Sequence, residues 1–322
     1  MRVLIVGSAN PWRMEAATEH ALRRAGHETL IIDDRRIKRV IGRRMTQHLV
    51  RARAKRFRPD FIFLSKCLAL DLETVQRLVA VTPNAMWYHD PQWFRDTARR
   101  DIGHIAAVGR LAGTFFVTGF DAEWRALGLN AKFLPAAGDA GILPVPARAD
   151  YTSDVAFIGT GYDQSRASLL LDLAQHHDVR VYGPAWDQWK ERLKWNGRSV
   201  EGKEFATVCS SAAVSLGINP SRAAGGLTYT SDRTWMVILA GAFYLGQGTP
   251  GVTQFLRDGE HCAWYADSAD CLAKLDHYLN DSVARQRIRK QGERFVRANH
   301  TYDQRIGNLL SGEAWTVESV TG

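Results

Sequence analysis

The chain has 322 residues, 45% of them hydrophobic, enough for about two ordinary domains and too apolar for a disordered or fibrous protein. Its net charge is +8, and its four cysteines (Cys67, Cys209, Cys262, Cys271) stand apart without a CxxC pair or zinc-type His/Cys spacing, which argues against a disulfide framework and a structural metal. The apolar runs 3–6 and 237–245 are too short for a secretory core or a bilayer span, so the expectation is a globular, cytoplasmic protein.

Short β-rich runs alternate with helix-period runs from end to end, the pattern of parallel sheets covered by helices on both faces. The predicted strands of the first half are 2–6, 28–32, 60–64, 85–89, 114–117 and 132–134. The first runs into a turn at Gly7 and Ser8, with Trp12 on the loop beyond it. After the second comes a window, 35–58, with eleven basic residues and no acidic one. Within it Ile37, Val40, Ile41, Met45, Leu49 and Ala52 recur every three to four residues, which predicts an amphipathic helix with arginines, among them Arg43, Arg44, Arg51 and Arg53, over the remaining surface. Charge of one sign gathers anionic partners, whether nucleic acid, anionic lipid or a phosphorylated substrate. The plainer alternative is a solvated helix face.

The fourth strand ends in His89-Asp90-Pro91, at the carboxyl edge of the sheet, where open α/β folds place ligands. His89 and Asp90 are therefore the candidates for acid/base chemistry, although Asp90 also suits a turn before proline. Trp12, Trp93 and Phe94 lie on predicted loops of the same face and are suited to stacking on a sugar or a base.

Pro144 and Pro146 stiffen a linker, after which a second series of strands follows at 154–158, 179–182, 213–216, 242–245 and 262–265. The expected architecture is α/β: two Rossmann-like doubly wound domains, 1–145 and 150–302, facing a cleft, with 303–322 a helix or tail that crosses back to the first domain. Both open on a strand that runs into a glycine turn, Gly7 in one and Gly159-Thr160-Gly161 in the other. A glycine turn followed by a helix amino-terminus suits a phosphate. Neither turn completes GxGxxG, so a dinucleotide redox cofactor is disfavoured. Asp33 and Asp34 stand where a ribose-binding acid would, or simply cap a turn. The two turns, with Arg166 placed to meet a diphosphate, describe a nucleotide-sugar site.

An ordered series then runs from Asp154 to Gly159, through Arg166, Val181 to Trp186, Val214 to Asn219, Arg233-Thr234-Trp235 and Gly241 to Leu245, to His300-Thr301-Tyr302. This series resembles the CgeB/YkvP-like glycosyltransferases, relatives of the retaining GT-B enzymes. The resemblance implies a metal-independent hexosyltransferase that needs no cofactor beyond its donor, a UDP-glucose-like nucleotide sugar held by the second domain. Gly159, Thr160 and Gly161 would face the diphosphate, with Arg166 and Arg233 neutralising it in place of a metal ion. Tyr182, Gly183 and Trp186 would surround the base, and Asn219 and Thr234 complete the donor set. The chain departs from the family at Met236 and near Thr228, where related enzymes carry glutamates, and at Thr253 and Gln254, where acids are common. Those departures suggest a second reading, a sugar-nucleotide-binding protein without turnover. An epimerase of the same architecture is a more distant one. For the acceptor the expectation is a polyanion, first a hydroxymethylated base flipped out of viral DNA. An anionic membrane surface bearing a lipid-linked glycan is the alternative, and a peptide or spore-coat glycan ranks third.

Overall fold

The computed structural model describes residues 1–90, 99–219, 229, 231–249 and 251–316. The chain divides into two compact units, residues 1–139 together with the segment from Tyr302 onward, and residues 140–301.

In the first unit the strands β1 (Arg2–Val6), β2 (Glu28–Ile32), β3 (Phe61–Leu64), β4 (Asn84–Tyr88), β5 (Thr114–Val117) and β6 (Ala131–Phe133) alternate with helices α1 (Met14–Arg24), α2 (Asp34–Phe57), α3 (Leu72–Val79), α4 (Arg99–Leu111) and α5 (Asp121–Ala126). The sheet is wholly parallel, in the order β2-β1-β3-β4-β5-β6. Its central strands are unbroken apolar runs, and Val3 to Val6 and Phe63 to Leu64 are fully buried, as strands covered on both faces must be.

The basic segment departs from the single amphipathic helix that its spacing predicts. At Gly42 the backbone leaves the helix with φ 75° and ψ 169°, a conformation essentially reserved for glycine. Beyond this break Thr46, Gln47, Val50 and Ala54 form the buried face. The expected apolar stripe lies outside, with Val40 77%, Met45 56% and Ile41 40% exposed. Polar contacts fix α2 instead. The buried Asp34 carboxylate accepts the Ala69 N–H at 2.8 Å, and Gln47 donates to the Ala69 carbonyl at 2.9 Å while accepting the Asp71 N–H.

The second unit contains β7 (Ser153–Ile158), α6 (Gln164–Leu173), β8 (Val179–Tyr182), β9 (Lys194–Trp195), α7 (Gly202–Ser211), β10 (Ala212–Gly217), α8 (Asp232–Leu239), β11 (Tyr244–Gln247), β12 (Ala263–Tyr265), α9 (Ser268–Asn280) and α10 (Ser282–Asn299). Its parallel sheet runs β12-β11-β10-β7-β8-β9. Strand β9 was not expected, because two residues carry no period. Strand β11 begins two residues later than its apolar run, since Ala242 and Phe243 are buried in the turn that leads into it.

From Tyr302 the chain rejoins the first unit and ends its described part beyond α11 (Ile306–Ser311). The Tyr302 N–H donates to the Gly138 carbonyl, its ring meets Trp87 edge-on at 5.8 Å, and Arg24 grips Asp303 at 2.7 and 2.8 Å. In both sheets the strand order reverses beside the opening strand, between β1 and β3 and between β7 and β10. Loops leaving such a pair diverge, which opens a crevice at their carboxyl ends. Among the described residues no helix is long and apolar enough to cross a membrane.

Candidate functional site

At the reversal point of the second unit, β7 runs into Gly159-Thr160-Gly161. This loop is wedged against the turn after β8. The Gly159 and Gly161 N–H groups donate to the Tyr182 and Pro184 carbonyls at 2.8 and 3.0 Å, while the Thr160 N–H between them takes no acceptor among the described residues. A Cβ at Gly161 would collide with the Ala185 carbonyl, and one at Gly183, where φ is 126°, with the Gly159 carbonyl. The glycines are thus needed for close backbone approach.

Two guanidinium groups meet at this loop. Arg233, in the first turn of α8, donates to the Ile158 carbonyl at 2.7 Å and lies over the Phe157 ring at 5.2 Å. Arg166, in the first turn of α6, lies 5.9 Å from the same ring and 4.8 Å from that of Tyr162, and donates to the Thr160 carbonyl at 3.2 Å. Arg166 is buried, and its Nε has no hydrogen-bond partner. Burial, and then the like charge of Arg233, push its pKa below the usual arginine value. Among the described residues no carboxylate forms an ion pair with either arginine. Two cations held together without an ion-paired carboxylate suit an anionic ligand.

Other residues expected around the donor make internal contacts. Trp186 does not surround a base: it is fully buried, packs against Phe157 and Trp189, and donates its indole N–H to the Gly159 carbonyl at 2.8 Å, so it supports the loop from beneath. Tyr182 is likewise a core residue, packed with Val200 and Val208. Thr234 is buried and hydrogen-bonds to the Tyr244 hydroxyl at 3.1 Å. Asn219 donates to the Gln247 carbonyl at 3.3 Å, which links the tips of β10 and β11. Met236 is half-buried on α8. The helix amino-terminus after the loop is not bare either, because Asp163 accepts the Ser165 N–H at 2.9 Å.

The first unit's glycine turn is chemically the reverse. Gly7, packed on Glu15 and Ser65, donates its N–H to the Ile32 carbonyl. The Ser8 N–H goes to the Glu15 carboxylate at 3.3 Å and the Ala9 N–H to Asp33 at 3.1 Å, while Asn10 and Trp12 donate to the Ser8 hydroxyl and the Asn10 side chain. Buried Glu15 also accepts the Ser65 hydroxyl at 2.7 Å. Internal carboxylates already serve as the anions of this turn, so it has no amides to offer a diphosphate. Asp33 is a cap and turn residue, accepting the Arg36 N–H at 2.8 Å.

Along the same sheet edge, His89 and Asp90 follow β4 as expected. Asp90 is ion-paired with Lys66 at the tip of β3, and one of its oxygens lies 3.8 Å from the His89 Nε2. The Lys66 partner was missed because it lies far from Asp90 in sequence; comparing the ends of neighbouring strands would have found it. Trp12 is exposed. Arg43, Arg44 and Arg53 are exposed on α2, and Arg51 reaches His48 at 3.1 Å. Trp93, Phe94 and Thr228 lie outside the described residues. Among the described residues no three His, Cys, Asp or Glu side chains converge as metal ligands.

A family model described as "Glycosyl transferase-like" matches residues 166–311. No curated protein sequence matches significantly. Among solved structures, the chain is similar to Anabaena Alr3699/HepE in complex with UDP-glucose, at 13% identity and TM-score 0.65, with 97% of this chain and 99% of that one covered. It is similar to sucrose-phosphate synthase from Thermosynechococcus elongatus at 11% identity and TM-score 0.70, over 97% and 98% of the two chains. An α-glucosyltransferase in complex with UDP and a 13-mer DNA containing an HMU base matches at 10% identity and TM-score 0.64, over the whole of both chains. At such identities the likeness establishes the fold. The expected α/β class is found, with two parallel six-stranded sheets flanked by helices as in GT-B structures.

Proposed function

We propose that the chain is a hexosyltransferase that takes its sugar from a UDP-glucose-like donor bound by the second unit and delivers it to a hydroxyl of an anionic acceptor bound by the first. The observation that carries this reading is the pair Arg166 and Arg233, held beside a glycine loop at a sheet reversal with no carboxylate paired to either. As the acceptor oxygen bonds to the anomeric carbon and the bond to the diphosphate breaks, negative charge builds on the departing nucleotide. Fixed guanidinium groups stabilise that charge without having to reorganise. A metal-independent, retaining transfer of the CgeB/YkvP-like kind is part of the same reading.

Asp90, set between Lys66 and His89, is the group proposed to take the acceptor's proton. The complexes with UDP-glucose and with DNA among similar structures support the donor class and an anionic acceptor in turn. The charge of α2 suits two anionic acceptors, DNA with a hydroxymethylated base and an anionic membrane surface. Four buried free thiols fit a reducing, cytoplasmic setting. Met236, in place of a family glutamate, favours one second reading, a binding protein without turnover; hydrolysis or transfer of a labelled nucleotide sugar excludes it.

Calorimetry with UDP in the presence of a chelator tests the donor site. Arg233→Ala should weaken binding by about 1 to 3 kcal/mol, the range for a hydrogen bond to a charged group. Unchanged affinity, or binding that demands a divalent ion, would remove Arg233 from the site.

A further inference from the structure

Beside the loop Ser8–Pro11 lies a cavity of about 510 Å³ whose polar wall is Arg35, Arg36 and Arg39 with Asp33. Both Asp33 oxygens are taken by backbone N–H groups, those of Arg36 and Ala9, and among the described residues none of the three arginines is ion-paired. The cavity therefore offers surplus positive charge from side chains, independent of the amides already spent in the Gly7 turn.

A second cavity of about 360 Å³ shares Ala9, Asp33 and Arg36 with the first and is otherwise lined by Ile31, Ile37, Val40, Ile41 and Leu49, with Arg53 at its edge. Its wall is apolar where that of its neighbour is cationic. Of the large apolar side chains left exposed among the described residues, Trp12, Val40, Ile41 and Met45 all belong to this loop and to α2. A nucleic acid asks a protein surface for cations along its phosphates and aromatic rings for its bases, not for an aliphatic groove. Exposed Ile, Val, Met and Trp interleaved with arginine suit a ligand that is anionic at one end and hydrocarbon at the other.

We infer that the acceptor of the first unit is an anionic lipid, its phosphate among Arg35, Arg36 and Arg39 and its chain along the Ile31–Ile41–Leu49 groove, presented at a bilayer surface on which Trp12, Val40 and Met45 rest. This inference rests on the reading that the first unit holds the acceptor. The lipid supplies both features of the paired cavities, whereas a nucleic acid supplies one.

Sedimentation with vesicles tests it. The full chain should bind vesicles of phosphatidylglycerol and phosphatidylcholine in equal parts, and not phosphatidylcholine alone. Replacing Val40, Ile41 and Met45 together with serine should weaken that binding about tenfold or more, since several exposed methylene groups no longer leave water. Arg35→Gln, Arg36→Gln and Arg39→Gln combined should flatten its salt dependence. The inference is overturned if the wild type ignores anionic vesicles, if the serine variant binds them as well as the wild type does, or if duplex DNA binds more tightly than the vesicles and equally to wild type and serine variant. Calorimetry with UDP on the same samples reads the donor site separately. Vesicle binding without UDP binding would count against the donor assignment, and UDP binding without vesicle binding against the lipid alone.

Discussion

Glu15 and Arg166 occupy comparable places, each in the first turn of the helix that follows its unit's glycine turn, and they carry opposite charge. That single difference decides what each turn can hold. Glu15 supplies an internal anion to Ser8 and Ser65, whereas Arg166, with Arg233, makes the surroundings of the Thr160 loop cationic. The glycines and the cationic side of the second turn were readable from sequence, but the acidic lining of the first was not, because it depends on the Glu15 side chain folding back on the loop. Trp186 shows the same limit, since a tryptophan beside a glycine turn looks alike whether it stacks on a base or props up the loop. Asp90 carries the catalytic prediction at this scale. Asp90→Asn should leave UDP affinity unchanged and lower turnover by roughly 100- to 10,000-fold, the usual range for a general acid or base. Steady-state kinetics within a fewfold of wild type would reduce Asp90 to an anchor for Lys66.

The strands were the most legible elements, because parallel strands buried on both faces read as uninterrupted apolar runs bounded by turns. Eleven such runs marked the strands of both sheets, and only the two-residue β9 escaped. Helix α2 was read in the wrong phase. Its spacing from Ile37 to Ala52 suggests one stripe, but the break at Gly42 rotates the second piece, and hydrogen bonds through Thr46 and Gln47 seat it. Periodicity presumes an unbroken helix, and a glycine there signals a break only through its dihedral angles. A Cβ at Gly42 would meet nothing within 4 Å, so substitution probes the backbone alone. Gly42→Ala should cost about 1 to 3 kcal/mol, as strained positive-φ positions do. Urea unfolding checks it, and an unchanged midpoint would mean that the segment straightens freely.

Each unit has its own sheet and its own reversal point, and the donor is assigned to residues of one unit only. Hydrogen exchange with and without UDP checks this across the whole molecule. At a hundredfold excess of UDP over its Kd the stabilisation should approach about 2.7 kcal/mol, with slowed exchange around β7, β8 and β10 and none along β1 to β6. Protection spread equally over both sheets would contradict a donor site built from residues 158–233. The break in α2 also bears on how freely the surface of this segment can vary. Residues 35–45 contribute almost nothing to the core, since Asp34 anchors the segment ahead of them and Thr46 resumes the packing behind. Gly42 apart, substitution in that stretch is nearly free of folding cost, so its surface chemistry can be rewritten at about ten positions without loosening the unit beneath.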